Sequence, residues 1–228
     1  LERGCWTPVS YLDSPTGWYA EQIDPQTVRV DFNQQPQGHI HWHLSGEHNR
    51  LNALAAIAAA HHVGISPQQS CEALSHFQGI KRRMELRGTV NHIRVYDDFA
   101  HHPTAIALTL AGLRQQITDQ ERIIAVLEPR SNTMKLGAMA ARLPGALADA
   151  DHTFCYSESQ GKHALNWDAH ATFAPLGSKA TVYQDLNQLV QAVVAHAQPH
   201  DHIVIMSNGS FGGVHDHILN GLDHRFSE

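Results

Sequence analysis

Two adjacent carboxylates, Asp97 and Asp98, stand three residues ahead of two adjacent histidines, His101 and His102, in the run Tyr96-Asp-Asp-Phe-Ala-His-His-Pro-Thr104. Carboxylates accept hydrogen bonds from ligand hydroxyls, and imidazoles titrate near neutrality, so the run has the side chains of an active-site loop. Apolar residues from Ile93 lead into it, and Pro103 can open a helix after it. A strand, a polar loop and a helix start are thus packed together, and in α/β proteins chemistry gathers at such loops.

Three further stretches have the same character. They are Glu128-Pro-Arg-Ser-Asn-Thr133, Ser157-Glu-Ser-Gln-Gly-Lys162 and Ser207-Asn-Gly-Ser-Phe-Gly-Gly213. Each follows an expected strand and is rich in hydrogen-bonding groups, while the opposite strand ends look plain. Four polar strand ends on one edge predict a ligand-binding edge, although a solvated loop is polar too. The Ser207–Gly213 loop has the glycines to cradle an anion on backbone N–H groups. It lacks the G-x-G-x-x-G spacing and closes the last strand, not the first, which argues against a dinucleotide site. No G-x-x-x-x-G-K-[ST] sequence occurs, so nothing here holds a triphosphate in the P-loop manner.

Asn49 and Asn52 are spaced to share one face of a helix. An Asn amide matches the N6 and N7 edge of adenine, whereas the plain alternative is a pair of polar residues facing water. Arg82 and Arg83 are either a solvated pair or, beside a ligand edge, a source of donors for phosphate or ribose. His39, His41 and His43 alternate with Ile40, Trp42 and Leu44, so three imidazoles on a strand face could bind zinc. No acid or cysteine stands at ligand spacing nearby, which favours histidines facing water over an apolar face turned inward.

The elements that would position these groups follow from pattern. Short strands are expected at Val28–Phe32 and Ile40–Leu44, too little for a domain and more like the edge of a sheet whose remainder is absent. After Ser45-Gly46 a helix is expected from about His48 to Val63, stopped by Gly64. Ser66-Pro67-Gln68-Gln69 is a capping box with proline at the first helical position, starting a second helix through about Phe77. The basic stretch Gly79–Arg83 marks a domain boundary, with residues 1–79 before it and 80–228 after. Beyond it, strands are expected at Gly88–Val90, His92–Tyr96, Ile123–Leu127, His152–Tyr156, Thr181–Tyr183 and His202–Met206. Helical faces are carried by Ile106, Leu110, Leu113 and Ile117, and by Leu186, Leu189, Val190, Val193, Val194 and Ala197. A helix over Thr133–Leu147, interrupted by Gly137 and Pro144, and a short one over Ile218–Leu222 complete the set. Alternating strands and helices predict an α/β, Rossmann-like domain with a mostly parallel, three-layer sheet.

Composition excludes several classes. With 42% hydrophobic and 17% charged residues in 228, the chain is globular, not disordered. A net charge of −6 argues against a nucleic-acid-binding surface. The longest apolar run, Leu51–Ala60, contains Asn52 and ends at His61-His62, so no membrane partner is expected. Cys5, Cys71 and Cys155 are unpaired by spacing and suit a reducing compartment. A start at Leu1 without methionine fits a cytoplasmic protein cut from a longer one.

Four ordered stretches carry a resemblance: Gly46-Glu-His-Asn-Arg-Leu-Asn-Ala-Leu-Ala-Ala56, Gly79-Ile-Lys-Arg-Arg-Met-Glu85, Tyr96–Thr104 and Glu128–Thr133. Together they resemble the Mur ligases, ATP-dependent amide-bond ligases of bacterial cell-wall synthesis. With the Ser207–Gly213 loop, the combination is most similar to members that join UDP-N-acetylmuramate to the murein tripeptide L-alanyl-γ-D-glutamyl-meso-diaminopimelate in recycling. The resemblance covers about Gly38 to Leu222 and implies the end of a central ATPase domain followed by a whole C-terminal domain. The family's P-loop, magnesium ligands and UDP-binding domain have no counterpart here, so the chain is expected to be a fragment, inactive alone.

By resemblance, His48, Asn49 and Asn52 line the adenine site, Arg83 reaches the ribose and phosphates of ATP, and Asp98 binds the ribose. His101 and His102 lie near the reacting groups. Arg130, Ser131, Asn132 and Lys135 lie where the family holds its amino substrate, and Ser207 and Asn208 join them. Alanine-adding relatives read Gln-Pro-His-Arg-Tyr-Thr-Arg in the Glu128 loop, so the basic residues do not align one for one, a departure that suits a longer peptide. The implied cofactors are ATP and Mg²⁺, held mainly by the part not present. The implied chemistry is phosphorylation of the lactyl carboxylate and attack on the acyl phosphate by the peptide amine. Other readings are a ligase adding L-alanine to UDP-N-acetylmuramate, or a non-catalytic α/β module binding nucleotide or peptide.

Overall fold

The computed structural model describes the chain except residues 1–6, Pro8, His43, Ser45, Gln78, Ser159, Lys162, His163 and Glu228. Cys5, the third strand histidine (His43), Ser45, Ser159 and Lys162 therefore lie outside the described residues. Two compact units divide the chain, Leu1–Gly79 and Ile80–Glu228.

The first unit holds strands β1 (Trp18–Asp24), β2 (Thr27–Phe32) and β3 (Gln35–His41), then helices α1 (Glu47–His62) and α2 (Pro67–Ser75). The strands form an antiparallel sheet in sequence order. Asn33 (φ 50°) and Gln34 (φ 64°) join β2 to β3 with both residues left-handed, the two-residue turn whose twist matches the strands. Trp18, Ala20, Val28, Val30 and Ile40 face inward and meet Ala53, Leu54 and Ile57 of α1 and Cys71 of α2. This is a core of its own, so the segment is more than a sheet edge. The strand over Trp18–Asp24 escaped the sequence pattern because only its first residues alternate in burial before Glu21–Asp24 turn to solvent. The strand expected at Ile40–Leu44 is the end of β3, displaced toward Gln35. Ile40 and Trp42 are buried while His39 and His41 are exposed, as the water-facing alternative requires. Among the described residues no group of three or more His, Cys, Asp or Glu is placed to hold a metal ion.

Gly64 (φ 94°) stops α1, its N–H donating to His61 O and that of Ile65 to Ala60 O. The expected capping box opens α2: Ser66 Oγ accepts from Gln69 N–H, and the Ser66 N–H donates to Gln69 Oε1.

The second unit runs β4 (Glu85–Val90), β5 (Ile93–Asp98), α3 (Pro103–Arg114), β6 (Ile123–Leu127), α4 (Asn132–Lys135), α5 (Leu143–Ala146), β7 (His152–Tyr156), α6 (Ala169–Phe173), β8 (Ala180–Tyr183), α7 (Leu186–His196), β9 (His202–Met206) and α8 (Val214–Phe226). Its six strands are ordered β4-β5-β9-β6-β7-β8. Only the β4–β5 hairpin, turned by Asn91 and His92, is antiparallel. This is the expected α/β, Rossmann-like, mostly parallel sheet.

Every residue of β6 and β9 is buried, as strands covered on both faces must be. Their alternation sorts the core. Ile123, Ala125 and Leu127 meet Ile106, Leu110 and Leu113 of α3 and Leu143 of α5, whereas Ile124 and Val126 meet Leu189 and Val193 of α7 and Ile218 and Leu222 of α8. Each fully buried side chain of this kind contributes about 1.5–3 kcal/mol.

Two helix expectations change. The helix expected over Thr133–Leu147 is broken into α4, a 3-10 turn at Ala140–Arg142, and α5. Gly137 (φ 80°) ends the first turn, and the Trp167 ring packs against it while Trp167 Nε1 donates to Met134 O at 2.7 Å. The last helix is longer than Ile218–Leu222, because Val214 and His215 are also buried on its inner face. Cys71 and Cys155 are free and buried, and burial pushes the Cys71 thiol up to about 11. Among the described residues no helix is long and apolar enough to cross a membrane.

Candidate functional site

Register places the polar loops of the second unit side by side. Asp98 pairs with Met206, Met206 with Leu127, and Leu127 with Cys155, so β5, β9, β6 and β7 end in one row. The chain after each strand leaves the sheet on the same edge, where ligands of open α/β sheets bind. The loops are bound to one another before any ligand arrives.

Asp98 is 2% exposed. Its Oδ1 accepts from Ala100 N–H at 2.7 Å and from Thr109 Oγ1 at 3.3 Å, and its Oδ2 accepts from Met84 N–H at 2.8 Å. Burial raises its pKa against the opposing effects of these donors and of the Arg83 charge. The carboxylate expected at the ribose is thus a staple joining the start of β4 to the end of β5. Asp97, also buried, faces Arg82 Nε at 3.3 Å, His215 Nε2 at 3.2 Å and Arg87 at 3.7 Å. Burial lowers the His215 pKa even with Asp97 opposing it.

The two arginines part ways. Arg82 turns inward with φ 61°, donating from Nη2 to Ser207 O at 2.5 Å and Gly209 O at 2.8 Å, and its guanidinium lies 5.1 Å from the Phe99 ring centroid. Arg83 is exposed. It is bracketed by Arg82 and by Met84 (φ 49°), two left-handed non-glycine residues of the kind that cost about 1–3 kcal/mol each and persist only where the surroundings impose them.

The loop after β9 is held from within. Ser207 is 1% exposed, its hydroxyl donating to Glu128 Oε2 at 2.5 Å and accepting from Gly209 N–H at 2.9 Å. The Ser207 N–H donates to Asp98 O, and that of Gly213 to Ser210 O. The N–H groups of Ser207, Gly209 and Gly213 are thus spent inside the protein, and the Ser207 and Gly209 carbonyls face Arg82. Asn208, half-buried, buries its Oδ1.

The Arg130 side chain lies across Gly209, where an added Cβ would stand 2.7 Å from its Cδ and Cζ. Glu128, Pro129, Arg130, Tyr156, Glu158 and Leu165 line a small cleft between the ends of β6 and β7. Ser131 caps α4, its Oγ accepting from Met134 N–H, with Asn132 exposed and Lys135 half-buried on that turn. His101 Nδ1 lies 2.9 Å from Phe99 O, which makes Nδ1 the donor of this bond. His102 is the residue before α3, its carbonyl accepting from Ile106 N–H.

In the first unit, His48, Asn49 and Asn52 sit on the first turns of α1, with Asn52 exposed and the other two half-buried. The His48 ring folds against Gly46 (φ 90°), where a Cβ would stand 2.9 Å from its Cε1.

The amino edge of the second unit's sheet is not plain. Buried His202 lies 3.2 Å from Tyr96 Oη and 3.2 Å from Glu121, and Arg94 lies 3.5 Å from Glu121. Arg122 pairs with buried Asp201 at 2.6 Å, and the His152 and His196 rings lie 4.5 Å apart. These groups come from β5, β7 and β9, from α7 and from the loops before β6 and β9, a grouping no local spacing reveals. Thr109 and His215 are the residues of the carboxyl edge that sequence reasoning missed, with no local signal to find them; Arg82 was visible only as half of an arginine pair and Glu128 only as the start of its loop.

Residues 82–209 match the family model described as "Mur ligase, glutamate ligase domain". The chain is 44% identical over 224 residues, 97% of its length, to the UDP-N-acetylmuramate–L-alanyl-γ-D-glutamyl-meso-2,6-diaminoheptandioate ligase of Haemophilus influenzae, of which it spans 49%. It is 48% identical over 129 residues, 51% of its length, to a UDP-N-acetylmuramate–L-alanine ligase of Desulfitobacterium hafniense, covering 28% of that protein. A crystal structure of a murein peptide ligase from Psychrobacter arcticus matches with a TM-score of 0.70 and 40% identity, over 97% of this chain and 48% of that one. The chain thus spans about half the length of the Haemophilus and Psychrobacter proteins.

Proposed function

The chain belongs to the Mur ligase family, and on that premise we propose that it is part of an ATP-dependent ligase joining UDP-N-acetylmuramate to L-alanyl-γ-D-glutamyl-meso-diaminopimelate. The observation that carries this reading is the 44% identity sustained over 97% of the chain to a ligase named for that tripeptide. The geometry supports it: four polar loops on one sheet edge, an outward Arg83, and a cleft carrying both Arg130 and Glu158. A guanidinium and a carboxylate at one cleft suit the carboxylate and ammonium groups of a peptide ending in diaminopimelate.

In this proposal residues 1–79 are the end of the central ATP-binding domain and 80–228 the C-terminal ligase domain. Asn49 and Asn52 offer amides to adenine, with His48 beside them, and Arg83 offers its donors to the ribose and phosphates. Asp98 acts at the ribose through the segment it staples, since both its oxygens already accept from the protein. By the family resemblance, magnesium and the triphosphate are held mainly by parts of the enzyme outside this chain. ATP phosphorylates the muramate lactyl carboxylate and leaves as ADP, and the peptide α-amine then attacks the acyl phosphate to give a tetrahedral intermediate that expels phosphate as the amide forms. The C-terminal unit binds and orients that amine through Arg130, Ser131, Asn132, Lys135 and Asn208, with Ser207 holding their loop and His101 and His102 beside the reacting groups. Orientation of this kind supplies much of the rate in such a reaction.

The 48% identity over 129 residues to an alanine ligase favours a second reading, L-alanine as the amine. The test is the full open reading frame, purified and assayed with UDP-N-acetylmuramate, MgATP and either the tripeptide or L-alanine. Tripeptide ligation with release of ADP is the expected result. Ligation of alanine alone would reverse the choice, and no ligation of either would refute both.

A further inference from the structure

We propose that Arg82 is a positioning residue: it touches no ligand, and instead locks the loops after β5 and β9 together and aims Arg83 outward. Its fork reaches three acceptors, one near the end of β5 and two on the loop after β9. Nε meets the Asp97 carboxylate at 3.3 Å, and Nη2 donates to the Ser207 and Gly209 carbonyls at 2.5 and 2.8 Å. The Phe99 ring lies under the guanidinium at 5.1 Å. The backbone of the same residue is held as well, its N–H donating to Glu85 Oε2 at 2.8 Å and its carbonyl accepting from Phe99 N–H at 2.8 Å.

These contacts account for the left-handed conformation at Arg82, and Met84 is pinned on the other side through its N–H to Asp98 Oδ2 at 2.8 Å. Arg83 has no freedom to exchange places with its neighbour. One guanidinium faces inward and the other faces the ligand edge because both flanking residues are anchored. Lysine cannot replace Arg82 in this role. An ammonium could still pair with Asp97, but it is a single point charge without the planar fork that spans two carbonyls and a carboxylate. The link to nucleotide rests on the ligase reading, whereas the locking of the loops does not.

Two measurements test it. The first is hydrogen exchange on the 228-residue chain carrying Arg82→Lys. The expected result is faster exchange, by tenfold or more on the scale of a lost local anchor, at the Phe99 and Gly209 amides. Ile124 and Val204 in the sheet keep their protection. Unchanged exchange at Phe99 and Gly209 would overturn the proposal. The second is ADP binding by calorimetry to the full-length protein carrying Arg83→Ala, Arg82→Lys and both together. Because Arg82 acts through Arg83, each single change weakens ADP, Arg82→Lys does not match wild type, and the double variant binds no more weakly than Arg83→Ala. Additive losses would make Arg82 a ligand-binding residue in its own right and overturn the inference. Wild-type protein that fails to bind ADP would count against the ligase reading, and the exchange experiment would then decide the role of Arg82 alone. Arg82→Lys keeps the charge and stem, so both tests remain open if Arg82→Ala does not fold.

Discussion

Replacing Asp98 by alanine should damage stability before it damages ligand binding. The carboxylate is 2% exposed and accepts from the Ala100 and Met84 N–H groups at 2.7 and 2.8 Å and from the Thr109 hydroxyl at 3.3 Å. A hydrogen bond to a charged group is worth about 1.5–3 kcal/mol, and a buried donor left unpaired costs about as much as it gained. Two such amides lose their acceptor, so the gross loss is about 3–6 kcal/mol. Part is recovered because Asp98→Ala also removes a buried carboxylate whose raised pKa reports a desolvation penalty. A net loss of about 2–4 kcal/mol remains, which for a unit of this size lowers Tm by about 5–15 °C. Asp98→Asn keeps the shape but turns an NH₂ group toward one of the donors, so roughly half the loss is expected. Thermal unfolding of the 228-residue chain, followed by circular dichroism, measures both. In the full enzyme the KM for ATP should rise as well, because Met84 beside Arg83 is released. An Asp98→Ala protein that melts within about 2 °C of wild type while its KM for ATP rises would refute the staple and make Asp98 a ligand group.

Gly209→Ala forces the Arg130 side chain from its place, since the new Cβ would stand 2.7 Å from Cδ and Cζ. The proposed ligase should then lose tripeptide affinity, seen as a raised KM for the peptide with Tm changed by only a few degrees; an unchanged KM would remove Arg130 from the peptide site. Acid should weaken the fold earlier than carboxylate titration alone would. His152, His196, His202 and His215 all have pKa values lowered by burial, so the folded state prefers them neutral. A base with a depressed folded pKa gives stability that is present above its unfolded value near 6.5 and lost as pH falls below it. Asp98, with its raised pKa, acts in the opposite direction but nearer the carboxylate range. Tm measured from pH 8 to 5.5 should therefore fall by several degrees toward the acid end, and a flat or rising profile would contradict the burial of these rings.

Local pattern determined most of the second unit. The strands Ile123–Leu127, His152–Tyr156 and His202–Met206 have the expected bounds, most plainly Ile123–Leu127, because a strand buried on both faces writes its whole length in one residue class. The capping box at Ser66 and the glycine stop at Gly64 were equally legible, since the chemistry that ends a helix lies within a few residues of its end. Four ordered motifs also carried the family. Where the pattern was weak, packing decided. A Trp167 ring from far along the chain meets Gly137 where a longer helix was expected, and burial of Val214 and His215 lengthens the last helix.

Within the site, residue types were visible and their division of labour was not. Asp97 and Asp98 are adjacent carboxylates, yet one faces arginines and a histidine and the other holds backbone amides. Arg82 and Arg83 are adjacent guanidiniums, yet one is tied to three acceptors and the other is exposed. Neighbours in sequence differ in this way because direction is set by partners far along the chain. Ser207 and Gly209 come to Arg82 only because β9 lies beside β5 in the sheet. Local pattern brought four polar loops to the carboxyl edge; the order of the strands added Thr109 and His215 to them and decided which groups are used up there and which are left to meet a ligand.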